Sequence, residues 1–253
     1  MAGEDNEQLN VTLSAAGTSI PVSMSVPAGS VKLRRMLPVI QKMSSEFIEM
    51  GARDLQAAGK AISCKAGCGA CCRQLVPIAE AEAHELRDLV ERMPDERQSI
   101  IKGRFESAMD RLNSAGFIDR LAAAAELESD DEYDRLVKEY FTFQIACPFL
   151  ENESCSIHEA RPIACREYLV TSPAENCKSA EGTGVENVQH YFQVKEALIM
   201  LSHRKTKREL PYVPLIQLME WANRIPDDTP MHTGKEWVEK FFKRLAEYSR
   251  PLK

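Results

Sequence analysis

The run Cys64-Lys-Ala-Gly-Cys68-Gly-Ala-Cys71-Cys72 constrains this chain more than any other stretch. All eight cysteines lie between Cys64 and Cys177, and the remaining four are Cys147, Cys155, Cys165 and Cys177. A core that needs small apolar residues has no reason to gather its thiols in this way. A soft metal ion does, because several thiolates must converge on one point. Gly67 and Gly69 flank Cys68. Glycines there let the backbone turn tightly around an ion and aim N–H groups at thiolate sulfurs.

The competing use of eight cysteines is four disulfides in a secreted chain. The N-terminus, Met1-Ala-Gly-Glu-Asp-Asn-Glu, is acidic and polar and does not read as a secretory signal. The expectation is therefore a cytoplasmic protein whose thiols stay reduced, and the vicinal pair Cys71-Cys72 favours metal as well. No apolar run approaches the length of a membrane span. A formal charge of -6 argues against general nucleic-acid binding, which relies on a basic surface. The 253 residues suffice for a substantial core.

Periodicity predicts a mostly α fold, with a small N-terminal β-hairpin and two loop-borne cysteine segments forming one metal-binding region. Residues 1–10 read as disordered and 11–253 as a single domain. Its cysteine-bearing core spans 37–177, and its C-terminal helices span 188–250. Alternation of Ile20, Val22, Met24 and Val26 predicts a hairpin over 11–26, turning at Ala15 to Thr18. Leu37, Ile40, Met43, Phe47 and Gly51 recur at helical spacing, with Pro38 near the start and Gly59 as a stop. Further helices are predicted over 79–93, 95–112, 121–127, 133–145, 188–202, 215–224 and 235–248. Residues 147–177 read as loop, broken by Pro148, Pro162 and Pro173. The basic run His203 to Arg208 reads as a solvated helix end, and Trp221 and Trp237 as core.

Cys64-x3-Cys68-x2-Cys71 has the ligand spacing seen in radical S-adenosylmethionine enzymes, although no alternating strand–helix pattern surrounds it here. Cys72 adds a fourth thiol. Adjacent cysteines point in different directions in most backbone conformations, so Cys71 and Cys72 can serve different ions. The second segment, Cys147 to Tyr168 with Cys177 beyond, supplies the other thiols. Arg161 and Arg166 are permanent cations that would offset thiolate charge, or else pair with Glu159 or Glu167. His158 can ligate a metal or support the ligands from behind, and Tyr168 can donate a hydrogen bond to the site.

These two segments resemble the YkgJ-like cysteine-cluster family, described by zinc or iron chelation and related to flagellin lysine-N-methylases. The family's C-x3-C-x2-C-C falls on Cys64, Cys68, Cys71 and Cys72. Its C-P-F-L followed by C-x-I-[YH]-x-x-R-P-x-x-C-R falls on Cys147 to Arg166, and a final cysteine matches Cys177. His158 stands where many members have tyrosine, and Glu82 where the family places an acidic residue. The resemblance implies a centre built from all eight cysteines, holding an iron–sulfur cluster or zinc or iron ions. It also raises an enzymatic alternative, methyl transfer from S-adenosylmethionine to a protein substrate. Delivery of metal to a protein partner, or redox sensing, is a third possibility.

Overall fold

The structure, a computed structural model, describes residues 5–15, 18–127, 129–179, 182–204 and 210–248. The first two strands, β1 (Asn6–Ala15) and β2 (Thr18–Pro27), form an antiparallel hairpin in which Leu9 faces Met24 and Val11 faces Val22. Successive strand side chains alternate between faces, so Ile20, Val22, Met24 and Val26 are all buried on one side. The hairpin starts at Asn6, earlier than the apolar alternation indicated, because ladder hydrogen bonds extend β1 through its polar start. The expected turn residues Ala16 and Gly17, and residues 1–4, lie outside the described residues.

Next comes β3 (Ser30–Val31), then α1 (Leu37–Ala57), whose first turn holds Pro38. Proline is tolerated there because that N–H has no partner within the helix. Leu37, Ile40, Met43, Phe47 and Gly51 form the buried stripe. Gly59, at φ +74°, ends the run in the left-handed region that favours glycine. The first cysteine loop leads to β4 (Pro77–Ile78), α2 (Glu80–Glu91), α3 (Asp95–Ser114), α4 (Phe117–Ala123) and α5 (Asp130–Thr142). The second cysteine region carries β5 (Leu150–Glu151), β6 (Ser154–Cys155) and the short α6 (Ile163–Glu167). The chain closes with α7 (Val194–Ser202), β7 (Val213–Pro214), α8 (Leu218–Arg224), β8 (His232–Thr233) and α9 (Gly234–Tyr248).

Two apolar clusters hold these helices. One joins β2, α1, α7 and α9, with the Phe47 and Phe192 rings tilted against each other at 4.5 Å and Trp237 donating to the Val31 carbonyl at 2.8 Å. The other joins α2 to α5 and α8 around Ile101, Phe105, Leu112, Phe117 and Leu218. Helix α2 lies between them. Ala79 and Ala81 face the first cluster, while Ala83, Leu86 and Val90 face the second. Trp221 is only partly buried, packed on the edge of the second cluster.

The helical reading stands, with shifts at the ends. Leu215–Gln217 is a 3-10 turn before α8, and α7 begins at Val194 rather than at 188. The segment 163–167, read as loop, forms a short helical turn that follows Pro162. Short two-residue pairings of β3 with β8, β4 with β7 and β5 with β6 carried no sequence period, since period 2 needs a longer run. Among the described residues, no helix is long and apolar enough to cross a membrane.

Candidate metal centre

Tight turns bring each cysteine to the site. Gly67 sits at φ +83°, and the Cys68 N–H closes a turn on the Lys65 carbonyl at 3.1 Å. A 3-10 turn over Ala70–Arg73 then places Cys71 and Cys72. In the second segment, β5 and β6 are joined by Asn152 and Glu153 at φ 49° and 57°. Positive φ at both central residues is the geometry of a two-residue hairpin turn, and asparagine is among the residues that adopt it most readily. This hairpin carries Cys155. Helix α6 carries Cys165, and a 3-10 turn over Ala174–Lys178 buries Cys177.

The two segments are stitched together directly. The Cys147 N–H donates to the Cys72 carbonyl at 2.7 Å, and Gly67 N–H to Ser154 Oγ at 3.1 Å. Ser63 N–H donates to the Val170 carbonyl at 2.9 Å. Arg73 clamps both sides. Its guanidinium reaches the Gly69 carbonyl at 2.9 Å and takes Glu153 with two nitrogens, at 3.1 and 2.7 Å. At Gly69 a Cβ would stand 2.5 Å from Glu153 Oε2 and 2.9 Å from Leu150 Cδ1, so any larger residue makes those side-chain ends shift.

Between the segments lies a cavity of about 510 Å³, walled by Cys64, Cys68, Cys72, Cys147, Cys155 and Cys165. Cys71 adjoins Cys72 in the 3-10 turn and is not part of the cavity wall. Cys177 is buried behind the first loop, beside Ala70 and Val170, with Cys64 and Cys68 packed against that group. Burial pushes the Cys147 thiol up to about 12 and raises those of Cys64, Cys155, Cys165 and Cys177 above the usual cysteine range. The neighbouring Cys72 thiol raises Cys71, and burial adds to it.

All eight cysteines are free thiols. Among the described residues, no group of three or more His, Cys, Asp or Glu side chains forms a ready-made metal site. The donor set nevertheless fits a soft cation. A bound cation supplies the positive charge that lets buried, mutually repelling thiols ionise, and only thiols line the cavity in such number. Arg161 adds a polar signal, since its Nε is buried without a hydrogen-bond partner in the same cavity wall.

The other candidate residues divide. His158 is exposed at the cavity rim, and the neighbouring Arg161 cation lowers its pKa. Tyr168 lines the cavity and accepts from Gln74 Nε2 at 3.1 Å. Arg166 grips its own loop, donating from Nε to the Arg161 carbonyl at 3.0 Å and from Nη2 to the Glu159 carbonyl. Glu82 does not line the cysteine cavity. Its carboxylate accepts the Ala79 N–H at 2.9 Å and the Ile163 N–H at 2.8 Å, tying α2 to the helix that carries Cys165. Glu167, which also follows Cys165, caps α7 through the N–H groups of Val194 and Lys195 at 3.0 and 3.2 Å. Sequence reasoning missed Glu167 in this role, and missed the Arg73–Glu153 clamp, whose partners lie far apart in the chain. The Asn152-Glu153 turn had a signal in Asn152.

Residues 63–190, just over half of the 253-residue chain, match the model of the CxxCxxCC family, whose description reads "Putative zinc- or iron-chelating domain". No curated protein and no solved structure matches the chain. The stitched pair of cysteine segments falls wholly inside the matched region, and the chain belongs to the CxxCxxCC family.

Proposed function

We propose that the eight cysteines form a thiolate metal centre, and that its metal is iron in an iron–sulfur cluster in preference to zinc. The observation that carries this is the roomy cavity walled by six thiols, with Cys177 packed against two of them. A single zinc ion draws four thiolates to about 2.3 Å and leaves no such space, whereas a cluster fills it with iron and sulfide. When bound, the cluster would supply electron-transfer or Lewis-acid chemistry. The chain's own part is to enclose the thiols, to place the Arg161 cation beside Cys64 and Cys155, and to restrict solvent.

Purification without oxygen, followed by iron, zinc and acid-labile sulfide analysis per chain, tests this. Iron and sulfide in comparable amounts support the cluster. Stoichiometric zinc without sulfide replaces it with a zinc centre, and metal-free protein from supplemented cells refutes both.

A second reading, a cluster-dependent enzyme, draws on a separate cavity of about 260 Å³ that shares Pro162 with the cysteine cavity. Arg34, Gln41 and Glu159 give that cavity polar groups over an apolar floor of Leu37, Leu86 and Leu89. Binding of S-adenosylmethionine to the loaded protein, measured by calorimetry, separates this reading from metal storage or delivery to a partner.

A further inference from the structure

The two free edges of the N-terminal hairpin differ. The pairing of β1 with β2 closes at Ala15 with Thr18, and before that Leu13 faces Ile20, Val11 faces Val22 and Leu9 faces Met24. Hydrogen-bonded and non-hydrogen-bonded pairs alternate along an antiparallel ladder, and the pair that closes a two-residue connection is hydrogen-bonded. Those pairs therefore exchange the ladder bonds. The residues between them turn their backbone groups outward: Asn6, Gln8, Asn10 and Thr12 on β1, and Ser19, Pro21, Ser23, Ser25 and Pro27 on β2. The outer edge of β2 is thus blunted by two prolines, which have no N–H to offer a further strand. β1 has no proline and no lysine, and Glu7 is its one charged residue. Among the described residues, nothing hydrogen-bonds the outward backbone groups of Gln8, Asn10 and Thr12. The core-facing side of β1 is incomplete as well. Leu9, Val11 and Leu13 are only partly buried, whereas Met24, Val22 and Ile20 opposite them are 7, 5 and 7 % exposed.

We infer that the outer edge of β1 is a dimer interface whose occupant is β1 of a second copy of this chain. Antiparallel pairing about a two-fold axis at Asn10 fits the strand to itself. Asn10 then meets Asn10 of the second copy, Gln8 meets Thr12 and Asn6 meets Ser14, so outward-turned backbone groups meet only outward-turned ones. Between these pairs Leu9 stands opposite Val11 and Glu7 opposite Leu13, all on the core-facing side. The apolar row continues across the axis, and the two Glu7 carboxylates lie at opposite ends of the pair, where they do not meet. An unrelated extended segment would use the same backbone groups, but the self-matching register favours a second copy. The combined sheet is flanked on both sides by the proline-bearing β2, so the assembly closes at two copies instead of growing into a filament.

Sedimentation velocity of the full chain over a dilution series tests this, with a thiol reductant present so that no disulfide links two chains. The wild type should dimerise. Asn10→Pro removes the N–H at the axis without touching the bonds between β1 and β2, and should weaken the dimer by at least about tenfold. Ser23→Pro makes the matching change on the outer edge of β2 and should leave the dimer as it is. Asn10→Lys sets like charges opposite each other at the axis and should also weaken the dimer, while mixing that variant with Asn10→Glu should restore a mixed pair. A wild type that stays monomeric at roughly 100 µM overturns the inference. So does a dimer that survives Asn10→Pro with an unchanged circular dichroism spectrum, or one that Ser23→Pro abolishes. If Asn10→Pro alters the spectrum, the charge variants decide, and failure of their mixture to restore the dimer overturns the inference.

Discussion

Glu82→Ala offers a sharp test of how the helical frame serves the cysteines. The Glu82 residue is 3 % exposed, and its two oxygens satisfy the N–H groups of Ala79 and Ile163 at 2.9 and 2.8 Å. Alanine leaves both donors buried and unpaired, at roughly 1–3 kcal/mol each. Burial raises the Glu82 pKa, so removing the carboxylate also relieves a desolvation penalty, and the expected net loss is toward the low end, about 2–3 kcal/mol. The loss falls unevenly. Helix α6 has five residues, too few to hold its shape without tertiary contacts, and it carries Cys165. If roughly 2 kcal/mol of ordering must be supplied on metal binding, affinity falls by about tenfold to a hundredfold, the usual range for a supporting residue. Urea unfolding of the reduced, metal-free protein measures the first quantity, and competition with a chelator the second. Glu85→Ala is the control, since Glu85 makes only an exposed pair with Arg92 at 2.8 Å and should shift stability by less than about 0.5 kcal/mol. A Glu82→Ala protein as stable and as tightly metallated as the control would refute the reasoning.

Gly69→Ala should push Glu153 and Leu150 away from the first cysteine loop and destabilise the fold by about 1–3 kcal/mol, read by thermal unfolding, with Arg73→Ala reproducing part of the loss. Arg166→Ala removes the grip on the carbonyls of Glu159 and Arg161, so metal should be retained but bound about tenfold to a hundredfold more weakly in chelator competition. For Asp227, burial alone would raise the carboxyl, but bonds from Thr229 and the nearby Lys32 outweigh it and hold the pKa below the usual aspartate value. A depressed folded-state pKa contributes stability that is present above the unfolded value and lost as pH falls through the folded one. Asp227→Asn should therefore destabilise by about 1–2 kcal/mol at neutral pH, and the gap should close below the ordinary aspartate value of about 3.9. Removing metal with a chelator under reducing conditions should speed hydrogen exchange in residues 63–75 and 147–178 while sparing α1 and α9, which pack on a separate apolar cluster.

What the sequence determined was whatever short-range physics carries. The stripe Leu37, Ile40, Met43, Phe47 marked α1, and alternation through Ile20 to Val26 marked β2, because periodicity in burial is written directly in residue order. Four thiols within Cys64 to Cys72 announced soft-metal chemistry for the same reason: the ligands of a tight loop are sequence neighbours. Helix α6 and the strands β5 and β6 showed no period, since five- and two-residue elements are too short for one, and Asn152 marked only the turn between the strands. Nor could sequence say that Glu82 would turn from the cysteines to hold the Ile163 N–H, or that Arg73 would cross to Glu153. It also left open that Cys177 packs with Cys64 and Cys68 while Cys147 and Cys155 rest on a different apolar cluster. Those are contacts between residues roughly 80 or more positions apart. Only the folding of two helical clusters around α2 brings such residues together, and which thiol faces which is decided by that packing rather than by spacing along the chain.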